Sequence, residues 1–215
     1  MMSTLLHLDA SARSRSFSRR LSARFAETWM AANPDGRYQY RDLATDPVPH
    51  ITEAWTEICD GVLHHGITDI GRYTEAVRTP SQREAWAVVE PLLNELVAAD
   101  TVLIGTPMYN FSVPAALKAW LDQVTFPRMS LRGKRFVVAG ARGGTYLPGA
   151  PRAPYDHEER YLRDFFAGHF DVEDVVFVHA ELTNAVADPR LADRKPEQQA
   201  SFAAAMARVD EVAKQ

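Results

Sequence analysis

Four serines lie in one loop near the amino terminus, directly before a predicted helix. They are Ser11, Ser14, Ser16 and Ser18. Hydroxyl groups and the unpaired backbone N–H groups of a helix N-terminus bind a phosphate monoester, and the helix dipole strengthens such a site. Arg13 or Arg15 supplies a positive charge that can close over the anion. The alternative is that one serine caps the helix and the others are solvated loop residues.

Two further loops carry residues that suit a flat ligand. Tyr109-Asn110-Phe111 follows an apolar run, and its two rings with a polar residue between them can enclose the edge of a heteroaromatic system. Gly143-Gly144 follows another apolar run, and the lack of side chains there allows a ligand to approach the backbone closely. Each motif alone is explained more simply as a structural turn. Together with the serine loop, they favour a binding site.

The elements that position these loops follow from the hydrophobic pattern. Short apolar runs alternate with segments of helical period, which is typical of βαβ units around a parallel sheet. Strands are predicted over residues 4–8, 37–43, 101–105, 135–140 and 175–179. Such sheets bind ligands beyond the carboxyl ends of their strands, so the loops after the first, third and fourth strands are expected to converge there.

Helices are predicted over residues 18–32, 81–99, 114–124, 156–168 and 196–214. Ser81-Gln82-Arg83-Glu84 has the pattern of a capping box, and Pro114 suits a first helical position. Residues 47–80 are the least regular part of the chain and are predicted as loop and short helix. Residues 1–215 are expected to form one domain, because no linker, repeat or low-complexity tract interrupts them.

Composition excludes several classes of function. A net charge of −4 gives no long-range attraction to nucleic acid. Cys59 is the only cysteine, so no intrachain disulfide or multi-cysteine metal site is possible, and a cytoplasmic location is expected. No apolar run approaches the roughly 20 residues that a membrane span needs. No metal site is expected, since the adjacent His64 and His65 lack a carboxylate at ligand spacing.

Three motifs together carry a family resemblance. Ser16-Phe17-Ser18, Met108-Tyr109-Asn110-Phe111 and Ala141-Arg142-Gly143-Gly144 resemble the FMN-dependent NADH azoreductases, which belong with the NAD(P)H:quinone oxidoreductases in the flavodoxin-like superfamily. The resemblance extends over nearly the whole chain. It implies a three-layer α/β sandwich around a five-stranded parallel sheet of order 2-1-3-4-5.

The resemblance also implies FMN as the bound cofactor. The implied contacts are Ser11, Ser16, Phe17 and Ser18 for the phosphate, and Met108, Tyr109, Asn110, Phe111, Ala141, Arg142, Gly143 and Gly144 for the isoalloxazine ring. The family usually has Ser or Thr where Ala141 stands. The connection 125–133 looks shorter than in well-known members, and it is expected to border the ring face and so to affect acceptor preference.

The implied activity is reduction of quinones and azo compounds by NADH or NADPH in a ping-pong reaction. The flavin N5 carries the hydride, so no catalytic side chain is expected, and Asn110, Gly143 and Gly144 are candidates for tuning the ring. The resemblance further implies a homodimer. Three alternatives stay open: a flavodoxin-type electron carrier, an FMN reductase that releases reduced flavin, and a flavin-free scaffold of the same fold.

Overall fold

A parallel sheet of five strands lies at the centre of the molecule. The computed structural model describes residues 2–215. The strands are β1 (Thr4–Asp9), β2 (Arg37–Asp42), β3 (Thr101–Pro107), β4 (Arg135–Ala141) and β5 (Val175–Ala180). Their order is β2-β1-β3-β4-β5, and every neighbouring pair is parallel. The predicted fold class and strand order are therefore confirmed.

In residues 2–215, six α-helices cover the two faces of the sheet. They are α1 (Phe17–Ala32), α2 (Glu53–His64), α3 (Pro80–Ala98), α4 (Ala115–Val124), α5 (His157–Phe170) and α6 (Lys195–Val212). Alternate strand residues point to opposite faces. Leu5, Leu103 and Val137 pack against α1 and α6. Leu6, Ile104 and Val138 pack against the other four helices.

Sheet position explains the composition of each strand. β3 is central, and its residues from Val102 to Pro107 are all buried, which accounts for its nearly continuous apolar run. β2 is an edge strand, as its alternating pattern predicted, and Tyr38 and Tyr40 remain exposed on it. β3 and β4 end in register and β1 ends two residues earlier, so the loops that follow these three strands meet at one edge of the sheet.

The structure corrects two predicted helix starts. α3 begins at Pro80 and not at Ser81: the Thr79 hydroxyl accepts a hydrogen bond from the Gln82 N–H at 3.2 Å, and Gln82 Oε1 accepts one from the Thr79 N–H at 3.1 Å. The true capping box thus lies two residues before the predicted one, with Pro80 at the first helical position. Pro114 is the N-cap of α4 and not its first residue.

The segment 47–80 is more ordered than predicted. It contains α2, a helix of 12 residues, and a 3₁₀ helix over Ile70–Ala76. The Thr52 hydroxyl caps α2 by accepting from the Trp55 N–H, and Ile58, Cys59 and Val62 join the core. Burial raises the pKa of the Cys59 thiol to about 12, so the thiol stays protonated at neutral pH. Within residues 2–215, no helix combines the length and the apolar surface needed to cross a membrane.

Gly105, near the end of β3, provides space that the first loop needs. A Cβ atom there would overlap Asp9 Oδ1 and would lie 2.6 Å from Ser22 Oγ. The Asp9 carboxylate cannot move aside freely, because it accepts hydrogen bonds from Ser22 Oγ at 2.8 Å and from the Tyr40 hydroxyl at 3.1 Å. We expect Gly105→Ala to lower the free energy of unfolding by about 2 kcal/mol, which is typical of overpacking in a core.

Urea unfolding monitored by circular dichroism measures this effect. Gly168→Ala is the matched control, because Gly168 lies on α5 with nothing within 4 Å of the added Cβ. Helix propensity predicts that this control gains about 0.5–1 kcal/mol. Equal stability of the two variants would contradict the packing of Gly105 described here.

Candidate functional site

A cleft of about 540 Å³ opens at the carboxyl edge of the sheet. Its volume lies in the range of sites for small ligands, about 300–1,000 Å³. Ten of the twelve predicted contact residues line it, namely Ser11, Ser16, Phe17, Met108, Tyr109, Asn110, Phe111, Ala141, Gly143 and Gly144. Ser18 and Arg142 do not. The structure therefore brings the three predicted loops together around one cleft.

The first loop ends at an uncapped helix. Ser16 is the N-cap residue of α1, yet its hydroxyl makes no capping bond and instead lies 2.9 Å from Ser18 Oγ. The first turn of a helix leaves its N–H groups without intrahelical partners, and at α1 no side chain of residues 2–215 satisfies them. Ser11 and Ser16 are both buried beside this turn. These unpaired N–H groups and buried hydroxyl groups form a site that suits a bound anion.

Arg19 connects the first loop to the ends of β1 and β2. Its guanidinium donates to the Ser11 carbonyl oxygen at 2.7 Å and to Asp42 Oδ1 at 2.7 Å. The same guanidinium lies 3.6 Å from Asp9 Oδ2. Hydrogen bonding to Asp42 raises the pKa of Arg19 and lowers that of Asp42, so both remain charged. The position of Ser11 is thus fixed by charges at the ends of β1 and β2.

The second loop is a tight turn over Tyr109–Ser112. The Tyr109 and Ser112 backbones exchange hydrogen bonds of 2.9 and 3.0 Å. Asn110 and Phe111 between them have positive φ values of 51° and 69°, as both central residues of a type I′ turn require. Asn tolerates a positive φ, whereas a positive φ strains the backbone of Phe. Such strain in an exposed aromatic residue is typical of functional sites.

The third loop presents backbone donors to the cleft. The carbonyl oxygens of Arg142, Gly143 and Gly144 accept from the N–H groups of Thr183, Asn184 and Leu182 at 2.9–3.2 Å. Among residues 2–215, no acceptor pairs with the N–H groups of Gly143 and Gly144. A Cβ at Gly143 would lie 2.6 Å from Asn184 Nδ2, so glycine is required for this close contact.

The loop after β5 also lines the cleft, and the sequence reasoning missed it. Thr183, Asn184, Val186 and Ala187 contribute to the lining. The signal was available, because polar residues directly follow the fifth parallel strand at the same edge of the sheet. In the part of this chain that the structure describes, the connection 125–133 does not line the cleft, and its expected position beside the ring face stays a prediction. Its Phe126, Met129 and Leu131 are buried in the core.

Arg142 lies in the third loop, but its side chain turns away from the cleft into a buried cluster of charges. The Nη2 atom lies 2.9 Å from Asp156 and 3.2 Å from Glu159, and Nη1 lies 3.6 Å from Glu181. The side chain is only 4% exposed. Glu181 in turn accepts hydrogen bonds from the Thr145 hydroxyl and from the Tyr146 N–H. The cluster therefore holds the glycine loop on the side away from the cleft.

The pKa values of Glu158 and Glu159 in this cluster are shifted in opposite directions. Glu158 is fully buried, and burial raises its pKa to about 8, although Arg142 opposes the shift. Glu159 is partly exposed, and its hydrogen bonds to His179 and Arg163 lower its pKa to about 2. Burial lowers the pKa of His179. At neutral pH, Glu158 therefore retains its proton while Glu159 is ionised.

The raised pKa of Glu158 predicts a pH-dependent stability. Between about pH 4.5 and about pH 8, the folded protein retains a proton that the unfolded chain releases, so this contribution to stability is lost as the pH rises. We expect the free energy of unfolding of the wild type, minus that of Glu158→Gln, to fall over this range. The lowered pKa of Glu159 affects stability only at lower pH. His179 is present in both proteins, so its contribution cancels in the difference.

Urea unfolding at several pH values between 5 and 8 gives this difference. Glu90→Gln, at an exposed position of α3, is the matched control for loss of a carboxylate. A difference between wild type and Glu158→Gln that is independent of pH would contradict the protonated state of Glu158.

Comparison with known proteins shows the family to which this chain is related. A family model described as flavodoxin-like fold matches residues 3–205. A protein of Nocardia farcinica named FMN-dependent NADH:quinone oxidoreductase is 66% identical over 205 residues, which cover 95% of each chain. A protein of Streptomyces avermitilis with the same name is 39% identical over 214 residues, which cover 95% of this chain and 92% of the relative.

Solved structures extend the likeness of the fold. The FMN-dependent NADH-azoreductase from Bacillus anthracis, solved in complex with FMN, has a TM-score of 0.77 and 21% identity, and 98% of each chain is covered. The resemblance inferred from the three motifs is confirmed by the sequence relatives. Because the matches span nearly the full length of both partners, this chain belongs to the flavodoxin-like fold family, together with the FMN-dependent NADH:quinone oxidoreductases.

Proposed function

We propose that this chain binds FMN in the cleft and reduces quinones and azo compounds with NADH. One observation carries the proposal: a single cleft joins an uncapped, serine-rich helix N-terminus to a slot where two glycine N–H groups lack partners. FMN has a phosphate for the first part and a flat polar ring system for the second. Relatives named for FMN, NADH and quinone reduction support the assignment.

The phosphate end of the proposed site uses the first loop. Ser11 and Ser16 supply hydroxyl groups, and the backbone N–H groups of Phe17 and Ser18 complete the anion site. Ser18 contributes through its backbone, since its side chain is buried away from the cleft. Arg13 and Arg15, which also line the cleft, neutralise the remaining charge.

The ring end of the proposed site uses the second and third loops. Residues 108–111 contact one edge of the ring, and Ala141, Gly143 and Gly144 contact the other. Bound FMN supplies the chemistry by accepting hydride from the nicotinamide and passing it to the acceptor. The Gly143 and Gly144 N–H groups are placed to donate to ring acceptors that gain negative charge, and Asn110 orients the ring edge. Arg142 contributes through its backbone and its buried cluster.

The proposed reaction uses the same open face for NADH and for the acceptor in turn, because both must reach the flavin ring in the same cleft. Initial rates with varied NADH at several fixed quinone concentrations test this. Parallel lines in double-reciprocal plots are the expected result. Intersecting lines, or absence of NADH oxidation with FMN and quinone present, would contradict the proposal.

The proposal includes a homodimer, one functional domain over residues 1–215 and a cytoplasmic location. Family resemblance supports the dimer, and the exposed Leu147 and Val186 give an apolar surface beside the cleft that a second subunit can cover. The single cysteine and the use of NADH suit a reducing compartment.

A further inference from the structure

The cleft is positively charged in an otherwise acidic protein. Arg13, Arg15 and Arg152 line it and are exposed, and among the residues that the structure describes no Asp or Glu contributes to the lining. None of the three arginines forms an ion pair within residues 2–215. The whole chain carries a net charge of −4. This local excess of unpaired cations is available to anionic ligands.

The three arginines lie at different ends of the cleft. Arg13 and Arg15 belong to the loop before α1, where the phosphate is proposed to bind. Arg152 lies over the glycine loop, where a Cβ at Gly144 would be 3.3 Å from both Cδ and Nη1 of Arg152. A phosphate held at α1 therefore leaves Arg152 without an anion at the ring end of the cleft.

Aromatic side chains lie near Arg152, because Arg152 and Tyr146 both lie within 4 Å of a Cβ atom placed at Gly144. The Phe111 ring stacks on Tyr155 with centroids 5.4 Å apart, and it meets Tyr146 edge-on at 6.5 Å. Phe111 and Tyr155 are exposed, whereas Tyr146 is buried. A flat aromatic molecule can pack against such rings while an anionic substituent reaches the guanidinium. Arginine suits this role because its planar donor groups bind carboxylate or sulfonate in a bidentate manner.

We propose that Arg152 binds an anionic substituent, carboxylate or sulfonate, of the aromatic acceptor, and so makes the enzyme prefer negatively charged quinones and azo compounds. The inference rests on the proposed function. The pyrophosphate of NADH offers the same anionic chemistry, and separate measurement of the two half-reactions distinguishes it. In a ping-pong reaction, kcat/KM for NADH reports only the first half, and kcat/KM for the quinone reports only the second.

The test compares 1,4-naphthoquinone-2-sulfonate with 1,4-naphthoquinone in wild type and Arg152→Gln. Dividing each variant value by the wild-type value removes the difference in intrinsic reactivity between the two quinones. We expect kcat/KM for the sulfonated quinone to fall about fivefold more than that for the neutral one, which is the scale of a partly exposed ion pair. Arg152→Lys retains the charge and is expected to restore part of the preference. Added salt should weaken the preference in the wild type.

Arg160→Gln is the matched control, because Arg160 is an exposed arginine of α5 outside the cleft lining. It removes the same charge and is expected to keep the wild-type ratio between the two quinones. Equal losses with both quinones in Arg152→Gln would overturn the inference, as would a loss confined to kcat/KM for NADH. Absence of turnover by the wild type with either quinone would instead overturn the proposed function, and the inference with it.

Discussion

Replacing Ser16 with Asp is expected to stabilise the flavin-free protein by about 1 kcal/mol and to weaken its affinity for FMN by about a hundredfold. The two effects have opposite signs because they use the same N–H groups. In the wild type, no side chain in the described part of the chain caps α1. An aspartate carboxylate can accept from these N–H groups in the folded protein, which favours the helix, but it then occupies the place of the phosphate and repels it.

Riboflavin gives the discriminating control for this variant. It carries the same ring system without the phosphate, so its affinity is expected to change much less than that of FMN. Ser81→Asp places the same new charge in the first turn of α3, where the capping box is intact, and should leave FMN affinity at the wild-type value. Fluorescence titration of each flavin measures the affinities. Equal weakening of FMN and riboflavin would show that the phosphate does not bind at α1.

Replacing Arg142 with Gln is expected to lower the free energy of unfolding by about 3–5 kcal/mol. The substitution leaves Asp156, Glu159 and Glu181 near one another without the central cation. Removal of the central cation is costly, because the buried Glu181 is left without its partner and the partly exposed Asp156 and Glu159 then repel each other. The loss exceeds that from a surface ion pair, which is about 0–1 kcal/mol.

Arg163→Gln provides the matched control for this prediction. Arg163 also pairs with Glu159, but its side chain is 53% exposed, so water can replace the lost interaction. Urea unfolding of both variants at neutral pH gives the comparison. Similar small losses in the two variants would mean that the charge of Arg142 is not needed to balance the cluster.

The architecture and three of the four cleft loops could be predicted from the sequence, because both depend on local patterns. The nearly all-apolar β3 and the alternating β2 indicated central and edge positions, and the structure confirms both. The carboxyl-edge rule then placed the serine, Tyr-Asn-Phe and Gly-Gly motifs together. These inferences need only the order of elements along the chain.

What the sequence did not reveal depends on contacts between distant residues. The direction of the Arg142 side chain is set by Asp156, Glu159 and Glu181, none of which is its neighbour in sequence. The contribution of Asn184 depends on its close contact with Gly143. The start of α3, in contrast, could have been predicted from local sequence, because Thr79 and Gln82 have capping-box spacing with Pro80 between them.

The visible spectrum of the protein mixed with FMN and desalted tests the central claim most directly, when NADH and then benzoquinone are added without oxygen. Retained yellow colour, bleaching by NADH and recovery with benzoquinone are the results that the account predicts. Protein that retains no flavin and oxidises no NADH with FMN present would contradict it.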